Sequence, residues 1–252
     1  MKIIRKKGVI KNLLNLPAPV KKKLFGLRDF EGAYITATLV GKKKKVLNVG
    51  CLWGRENFFL TSLGKEVINL DLGKQKVPNL VIGDISKRTP FKDNEFDAIV
   101  MGEIIEHVFE DVRALEEIRR ILKDDGCLVL TVPYFDDNPS YHVRMHSKRT
   151  IKRLLENCGF RVQEEVTRGG LISLSKLFVL PSLILKYLNK PLRVRYLMFL
   201  SELDYILGNK KPFLFKFSKS YGGYFLCTKG KNKDFVGVNT KSFIKRPNSL
   251  KD

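Results

Sequence analysis

The chain has 252 residues, of which 44% are hydrophobic and 29% are charged. Such values are typical of a soluble globular protein that can bury a sizeable core. The formal net charge is +21, and it is concentrated in the ends: residues 1–45 carry +11 and residues 171–252 carry +12, whereas residues 46–135 carry −4. Basic ends of this kind are suited to an anionic membrane surface or to nucleic acid.

The cysteines exclude several classes of protein. They are Cys51, Cys127, Cys158 and Cys227, and they lack the paired spacing of a zinc site, a redox CxxC pair or a disulfide framework. The basic N-terminus is interrupted by lysines and asparagines and has no apolar stretch of signal-peptide type. The sequence therefore predicts a cytoplasmic protein with reduced cysteines, and it suggests no metal ligands.

In chain order, residues 1–43 are predicted to form a basic arm and a helix. Residues 1–20 end in Leu16-Pro17-Ala18-Pro19, which indicates an arm or linker. Residues 22–40 place apolar side chains at helical spacing on one face, namely Leu24, Leu27, Phe30, Tyr34 and Leu39.

Residues 44–170 alternate short apolar strands with helices. Strands are predicted over 45–49, 66–71, 80–84, 96–102, 127–133 and 160–167, with helices over 56–63, 111–123 and 148–157. The second of these helices, over 111–123, is expected to stop before Gly126. A seventh strand is expected near residues 222–228, within a segment (213–230) that returns to the core. Such alternation predicts a doubly wound α/β fold with a mainly parallel, seven-stranded sheet.

Residues 171–212 break this rhythm and are predicted to form an apolar and basic helical insertion. Large apolar residues alternate there with Lys176, Lys186, Lys190, Arg193 and Arg195. The apolar run is too short to span a bilayer. Three arrangements suit it: a helix lying on an anionic membrane leaflet, a lid over a lipid-like acceptor, or a cap packed on the domain. Residues 231–252 are predicted to form a basic tail.

Five segments in a fixed order carry a resemblance to a known family. They are VLNVGCLWG, VINLDL, VIGDI, FDAIVMGEIIEHV and LKDDGCLVLTVP, the last followed by the pattern H-x-R-x-x-S that begins at His142. Over residues 44–170 and the last strand, the chain resembles the class I S-adenosylmethionine-dependent methyltransferases. It is most similar to small-molecule members that act in ubiquinone synthesis or modify glycans and lipids. The resemblance implies a Rossmann-like fold and S-adenosylmethionine as cofactor.

The resemblance also implies which residues contact the cofactor. Asp71 would accept hydrogen bonds from the ribose hydroxyls, and Asp84 would accept from the adenine amino group. Gly50 and Gly54 would let the first loop approach the methionine part. The full predicted set is Asn48, Gly50, Cys51, Gly54, Asp71, Leu72, Asp84, Ile85 and Glu103.

Two residues depart from the family pattern. Asn48 stands where an acid is usual, and Leu52 stands where a glycine is usual. The amide of Asn48 keeps hydrogen-bonding capacity but loses the charge, whereas Leu52 restricts the backbone and adds bulk. These changes predict weaker or altered cofactor binding, and a non-catalytic methyltransferase-like protein is the alternative.

Methyl transfer needs an aligned nucleophile and often a base that takes its proton. His107 lies just beyond the fourth strand and is the first candidate for this base. Tyr134 and His142, near the end of the fifth strand, are further candidates. A surface or capping role is the alternative for each histidine.

The class of methyl acceptor is predicted from the sequence motifs that the chain has and from those that it lacks. Residues 102–105 lack the Asn/Asp/Ser-Pro-Pro-aromatic motif of amino-methylating enzymes of this fold, and no RNA-binding module is recognisable. The sequence therefore favours O-methylation of a small-molecule, glycan or lipid-linked acceptor at the inner face of the membrane. RNA-directed methylation is the alternative, and a scaffold with basic ends is a third. The oligomeric state is left open.

Overall fold

The computed structural model describes residues 8–134, 142–168, 188–210 and 222–230. Seven strands form one sheet in the order β3-β2-β1-β4-β5-β7-β6. The first five strands are parallel, and β7 lies antiparallel between β5 and β6. The strands are β1 Lys45–Val49, β2 Glu66–Asp71, β3 Leu80–Ile82, β4 Phe96–Gly102, β5 Leu122–Pro133, β6 Phe160–Arg168 and β7 Gly222–Lys229. The predicted seven-stranded α/β fold is confirmed.

Helices cover both faces of the sheet. They are α1 Val9–Leu14, α2 Ala18–Leu24, α3 Leu27–Val40, α4 Arg55–Ser62, α5 Asp111–Ile121, α6 Lys148–Asn157 and α7 Lys190–Lys210. Successive residues of a strand point to opposite faces, so Val46 belongs to the core under α1, α3, α4 and α7, and Leu47 belongs to the core under α5 and α6. The central strands are apolar on both faces for this reason.

The N-terminal region differs from the predicted arm and single helix. Residues 9–14 form α1, whose Val9 and Leu13 are buried in the core. The prolines at 17 and 19 begin α2 rather than ending a linker, because proline is well tolerated in the first turn of a helix. Gly26 adopts an extended conformation, with φ −73° and ψ 144°, and separates α2 from α3.

The boundary between α5 and β5 also differs from the prediction. The helix ends at Ile121, and Leu122 already pairs with Phe96 of β4. The register then shifts before Cys127 pairs with Ala98. A strand pairing therefore begins five residues earlier than the sequence pattern indicates, and the residues up to Gly126 form an irregularity within β5 instead of a helix end.

The described part of the predicted insertion is α7, and residues 169–187 lie outside the described residues. This helix packs against α3 and β6. Val194 and Leu197 are buried in the core, and Arg193 donates a hydrogen bond to the carbonyl of Phe25 at 3.0 Å. In the part of the chain that the structure describes, no helix has both the length and the apolar character needed to cross a membrane.

Candidate active site

The strand order creates a crevice at the carboxyl edge of the sheet. The chain runs outward from β1 through β2 to β3, then returns and adds β4 on the other side of β1. Ligands of open α/β sheets bind at such a switch point, outside the carboxyl ends of the strands. Gly50 follows β1, Asp71 ends β2, Asp84 follows β3 and Glu103 follows β4. The fold therefore brings these four predicted residues to the same edge.

The loop after β1 requires glycine at two positions. Gly50 has φ +68°, and a Cβ there would lie 2.0 Å from Cδ1 of Ile104. Gly54 has φ +86° and forms the N-cap of α4, and a Cβ there would lie 2.7 Å from Val77. Both contacts are closer than real Cβ atoms allow, so the loop can pass this tightly only without side chains.

Asp71 holds this loop in place. One carboxylate oxygen accepts hydrogen bonds from the backbone N–H of Leu52 at 3.1 Å and from the thiol of Cys51 at 3.6 Å. The other accepts from the backbone N–H of Gly73 at 3.2 Å. Burial and the charge of Asp71 raise the pKa of Cys51 to about 12, so the cysteine stays a thiol and a donor. Leu72, beside Asp71, is 74% exposed.

Asn48 takes part in a buried chain of amides beneath the loop. Its side-chain nitrogen donates to Oδ1 of Asn69 at 2.9 Å, and Asn69 in turn donates to Oδ1 of Asn57 at 2.9 Å. Asn48 is 1% exposed. The described contacts thus give the Asn48 amide a supporting role beneath the loop, and its contact with the cofactor stays a prediction.

The carboxylate of Asp84, which follows β3, is fixed by hydrogen bonds within its own turn. Asp84 accepts from the backbone N–H of Ser86 at 2.9 Å and from its hydroxyl at 2.7 Å. These hydrogen bonds, led by that of the hydroxyl, lower the pKa of Asp84 despite partial burial, and Lys87 contributes. The neighbouring Ile85 is buried, with 6% exposure. An ionised acceptor beside an apolar side chain suits a purine with an exocyclic amino group.

Glu103 stands at the end of β4 in a strained conformation. Its φ is +56°, a value that residues other than glycine rarely adopt. The backbone N–H donates to the carbonyl of Thr131 at 3.0 Å, which ties Glu103 to β5. Residues held in such conformations cluster at functional sites. The strain accords with the predicted place of Glu103 at the cofactor.

An ion pair beside the loop was not anticipated from the sequence. Arg55 donates from Nε to Oε1 of Glu56 at 2.6 Å, and a Cβ at Gly102 would lie 3.2 Å from that oxygen. Burial opposes the charge of Arg55, but the Glu56 carboxylate outweighs it and raises the arginine pKa. Asp29 of α3 lies 3.6 Å from the guanidinium. The only signal in the sequence is the Arg-Glu pair that directly follows Gly54.

The three candidates for a base lie in different surroundings. The rings of His107 and His142 meet edge to face, with centroids 4.7 Å apart, and both residues are half-buried. Tyr134 is 7% exposed, and a Cβ at Gly223 would lie 2.3 Å from its hydroxyl. Burial, with a contribution from Glu165, raises the pKa of Tyr134. The structure thus brings the two histidines together and leaves the tyrosine in the core.

Glu106, next to His107, is a further residue that sequence reasoning passed over. It is 1% exposed, and neither carboxylate oxygen accepts a hydrogen bond from another residue that the structure describes. Burial raises its pKa to about 7. One carboxylate oxygen of Glu106 and one ring nitrogen of each of His107 and His142 all lie within 4.8 Å of one another.

The glycine loop and the acids lie together at the switch point, where open α/β sheets bind their ligands. Residues 47–130 match a family model described as a methyltransferase domain. Residues 47–130 therefore carry a methyltransferase domain, which agrees with the resemblance to the class I S-adenosylmethionine-dependent methyltransferases.

Individual relatives agree with this assignment. A probable S-adenosylmethionine-dependent methyltransferase of Mycolicibacterium smegmatis is 26% identical over 138 residues, which cover 48% of this chain and 53% of the relative. The ubiquinone/menaquinone biosynthesis C-methyltransferase UbiE of Haemophilus ducreyi is 28% identical over 130 residues, covering 36% of this chain and 50% of the relative. The chain thus spans about half the length of the curated relatives it matches.

A solved structure supports the fold alone. The S-adenosylmethionine-dependent methyltransferase of Archaeoglobus fulgidus superposes with a TM-score of 0.52 at 16% identity, covering 83% of this chain and 97% of the other. Its fold agrees with the doubly wound sheet described above. The residues of the present chain fit the cofactor that the family implies, because the loop at Gly50 and Gly54 leaves no room for side chains and fixed carboxylates stand beside it.

Proposed function

We propose that the chain is an O-methyltransferase that uses S-adenosylmethionine to methylate an amphiphilic, lipid-linked or otherwise partly apolar acceptor. The observation that carries the proposal is the position of the paired histidines. His107 is the last residue of the short helical turn that begins after Ile104, and Ile104 packs directly on Gly50 of the loop. A group that can accept a proton therefore follows, three residues later in the chain, the residue that packs on the loop that would hold the cofactor.

Each residue of the crevice has a distinct task in this proposal. When bound, S-adenosylmethionine supplies a methyl group on a positively charged sulfur. Asp71 would orient the ribose, since the loop already fixes its carboxylate. Asp84 would accept from the adenine amino group, since hydrogen bonds to Ser86 keep it ionised. His107 would take the proton of the acceptor hydroxyl, with His142 against its ring.

Exposed apolar side chains near the histidines support an amphiphilic acceptor. Phe109 is 77% exposed, Met145 is 66% exposed and Val112 is 46% exposed. Arg144 joins this group, because it donates to the carbonyl of Phe109 at 3.1 Å and to Asp111 at 2.8 Å. A surface with large apolar side chains around a fixed cation suits an acceptor that has a polar head and an apolar chain.

The first test is cofactor binding. We expect isothermal titration calorimetry to detect S-adenosylhomocysteine binding to the full chain, with Asp71→Ala weakening the affinity at least tenfold, or about 1.4 kcal/mol. Asp125→Ala is the matched control, because Asp125 is highly exposed and pairs with Lys43. Binding that is absent from the unaltered chain would favour the non-catalytic alternative.

The second test identifies the acceptor and the methylated atom. The chain is incubated with S-adenosylmethionine that carries a ¹³C-labelled methyl group, together with lipid extract, glycans or RNA, and the products are analysed by mass spectrometry and NMR. We expect a label on oxygen in the lipid fraction, which His107→Ala abolishes. A label on carbon would match the C-methylation for which the Haemophilus ducreyi relative is named. A label in RNA would favour the nucleic-acid alternative.

A further inference from the structure

We propose that Glu106, His107 and His142 form a binding site for a divalent transition-metal ion at the acceptor side of the crevice. These residues supply one carboxylate oxygen and two imidazole nitrogens, whose atoms all lie within 4.8 Å of one another. Two histidines and one carboxylate are a ligand set that holds Zn²⁺ or Fe²⁺ and leaves further positions open.

The spacing of the atoms is compatible with an ion after small side-chain rotations. Ligand atoms about 2.1 Å from a tetrahedral ion stand roughly 3.4 Å apart. The cluster is therefore at most about 1.4 Å wider than a closed site for any pair of its atoms. The two imidazole rings are already in contact, with centroids 4.7 Å apart, and we expect rotation about their side-chain bonds to close this difference.

The burial of Glu106 points independently to a cation. Its carboxyl group is 1% exposed, and neither oxygen accepts a hydrogen bond from another described residue. A buried carboxylate without partners is costly, and buried charges are usually paired or bound to metal. A metal ion between Glu106 and the histidines would supply the missing partner for this group.

The backbone around the cluster holds its two halves together. The N–H groups of Val143 and Arg144 both donate to the carbonyl of Glu106, at 2.9 Å and 3.3 Å. The guanidinium of Arg144 also donates to Asp111 and to the carbonyl of Phe109. His142 is thereby fixed against His107, although the two residues are far apart in sequence. Ligands that are positioned before the ion arrives favour binding.

The ligand types favour transition metals over Mg²⁺ and Ca²⁺. The latter ions prefer sites made of oxygen atoms, whereas imidazole nitrogens suit Zn²⁺, Fe²⁺ and Co²⁺. Both histidines are half-buried rather than enclosed. An ion at this place would keep an open side on which an acceptor oxygen could bind.

The site has a consequence that rests on the proposed O-methylation. An acceptor hydroxyl bound to the ion would lose its proton to solvent more readily, because the cation stabilises the oxygen anion. That oxygen would then form a bond to the methyl carbon as the carbon–sulfur bond breaks and its electron pair returns to sulfur. In this form of the reaction, the histidines hold the ion and the ion takes over the task of activating the acceptor.

The test measures metal binding itself. Untagged full-length protein, freed of metal by a chelator, is titrated with Co²⁺ while the visible absorption of the bound ion is recorded. We expect one ion per chain. We expect Glu106→Gln and His142→Ala each to weaken binding more than tenfold, since a loss of that size already follows from changes outside the ligand set. His146→Gln is the matched control, because this buried histidine lies outside the three-residue cluster.

Two results would overturn the assignment. One is a wild-type protein that binds Co²⁺ no better than the His107→Ala/His142→Ala double variant, and the other is a His146→Gln variant that loses as much affinity as His142→Ala. Because Glu106 is buried, circular dichroism verifies the fold of its variant, and His142→Ala on the half-buried segment remains informative if that variant unfolds. Metal binding without methyl transfer would uphold the site and count against the proposed function.

Discussion

Leu52 adopts a backbone conformation that leucine rarely takes, with φ +42°, at the position where the family usually has glycine. Its side chain is 64% exposed, so it gains little from burial. Its backbone N–H, by contrast, donates to Asp71 and thereby fixes the loop. The residue is thus held in a left-handed conformation by a backbone hydrogen bond, and the strain falls within the cofactor loop itself.

We expect Leu52→Gly to stabilise the fold by up to about 1 kcal/mol, because the left-handed conformation costs a residue with a Cβ roughly 1–2 kcal/mol and part of this gain is offset by the greater freedom of glycine when unfolded. Leu52→Ala is the matched control: it removes the exposed side chain but keeps the Cβ and its strain. Urea denaturation followed by circular dichroism measures both variants. Equal stability of the two would show that the backbone conformation is not the source of the strain.

The residues of this crevice differ in how far the sequence could predict them. Asp71 and Asp84 lie at strand ends within a local pattern, so the sequence was enough to bring them to the carboxyl edge. The role of Asn48 beneath the loop was not foreseen, because its partner Asn69 belongs to the neighbouring strand. The contact of His107 with His142 depends on a folded segment that docks on the Glu106 carbonyl. No local spacing encodes that contact.

At the scale of elements, the ion pair of Arg55 and Glu56 joins helices to the sheet. Arg55 lies at the start of α4, and its guanidinium lies near Asp29 of α3. It also lies against Gly32 of α3, where a Cβ would be 3.2 Å from the guanidinium carbon. Both partners are largely buried, with side-chain exposures of 16% and 9%. Removing one charge of such a pair is more harmful than removing both.

We expect Arg55→Met to destabilise the protein by about 3 kcal/mol, because it leaves the carboxylate of Glu56 buried without its partner. The double variant Arg55→Met/Glu56→Gln should recover most of this loss, since the buried carboxylate is then gone and Asp29, whose side chain is 39% exposed, can be solvated by water. Urea denaturation of both single variants, Arg55→Met and Glu56→Gln, and of the double variant completes a double-mutant cycle. The cycle gives the coupling free energy between the two side chains. A double variant that is less stable than Arg55→Met would contradict the expectation.

Strand β4 is tied to β1 and β5 by one carboxylate. Asp97 accepts from the backbone N–H of Lys45 at 2.9 Å and of Lys44 at 3.2 Å, and from the ammonium of Lys123 at 2.7 Å. Burial opposes its ionisation, but the hydrogen bonds of Lys123 and of the two backbone groups outweigh burial and lower the pKa to about 2. The unfolded chain has an ordinary value of 3.8 and therefore binds the proton more readily.

This difference predicts a loss of stability in acid. A folded-state pKa below the unfolded value stabilises the fold fully above about pH 5, and this stability disappears as the pH falls through about 2. The contribution of Asp97 is at most about 2 kcal/mol. We expect Asp97→Asn to show a shallower fall in the free energy of unfolding between these limits, measured by urea denaturation at a series of pH values. Other carboxylates titrate in both proteins, so only the difference between the two curves of unfolding free energy against pH reports on Asp97. Parallel curves would contradict its role.

The element boundaries show why sequence patterns misplace some helices. The helix over 111–123 was extended toward Gly126 because the apolar spacing continues, yet pairing of Leu122 with Phe96 converts those residues into β5. The N-terminal prolines were interpreted as marks of a linker, whereas they begin α2. For β5, a contact distant in sequence decides between structures that the local pattern allows equally, whereas for α2 the prolines occupy the first turn, where a helix tolerates them. The strands themselves were predicted well because both of their faces are buried.

At the scale of the whole molecule, α7 presents one exposed face whose chemistry suits a membrane surface. Leu192 is 46% exposed and Phe199 is 60% exposed, and Arg195 is exposed between them at helical spacing. The opposite side of the helix, with Val194 and Leu197, is buried in the core. One helix could therefore meet both predictions, because its buried side caps the domain and its exposed side is available to a membrane.

If this face contacts anionic lipid, which is one of the arrangements predicted from the sequence, a charge reversal there should weaken vesicle binding more than a reversal elsewhere on the molecule. A basic residue near an anionic surface contributes about 1 kcal/mol. Arg195→Glu replaces this attraction with a repulsion, a change of about 2 kcal/mol in the free energy of binding. It should therefore reduce the affinity for phosphatidylglycerol-containing vesicles roughly 30-fold in low salt, as measured by flotation. Phe199→Ala should weaken vesicle binding to a similar extent at low and at high salt, because it removes apolar burial, which salt does not screen.

Arg149→Glu on α6 separates this local effect from the effect of net charge, because it changes the total charge by the same amount from an exposed position. Helices α6 and α7 pack on opposite faces of the sheet, so Arg149 belongs to a different surface of the domain from the exposed face of α7. If the two reversals weaken vesicle binding equally, attraction is governed by the overall positive charge, and α7 has no special part in it. If only Arg195→Glu and Phe199→Ala matter, α7 orients the domain on the lipid surface.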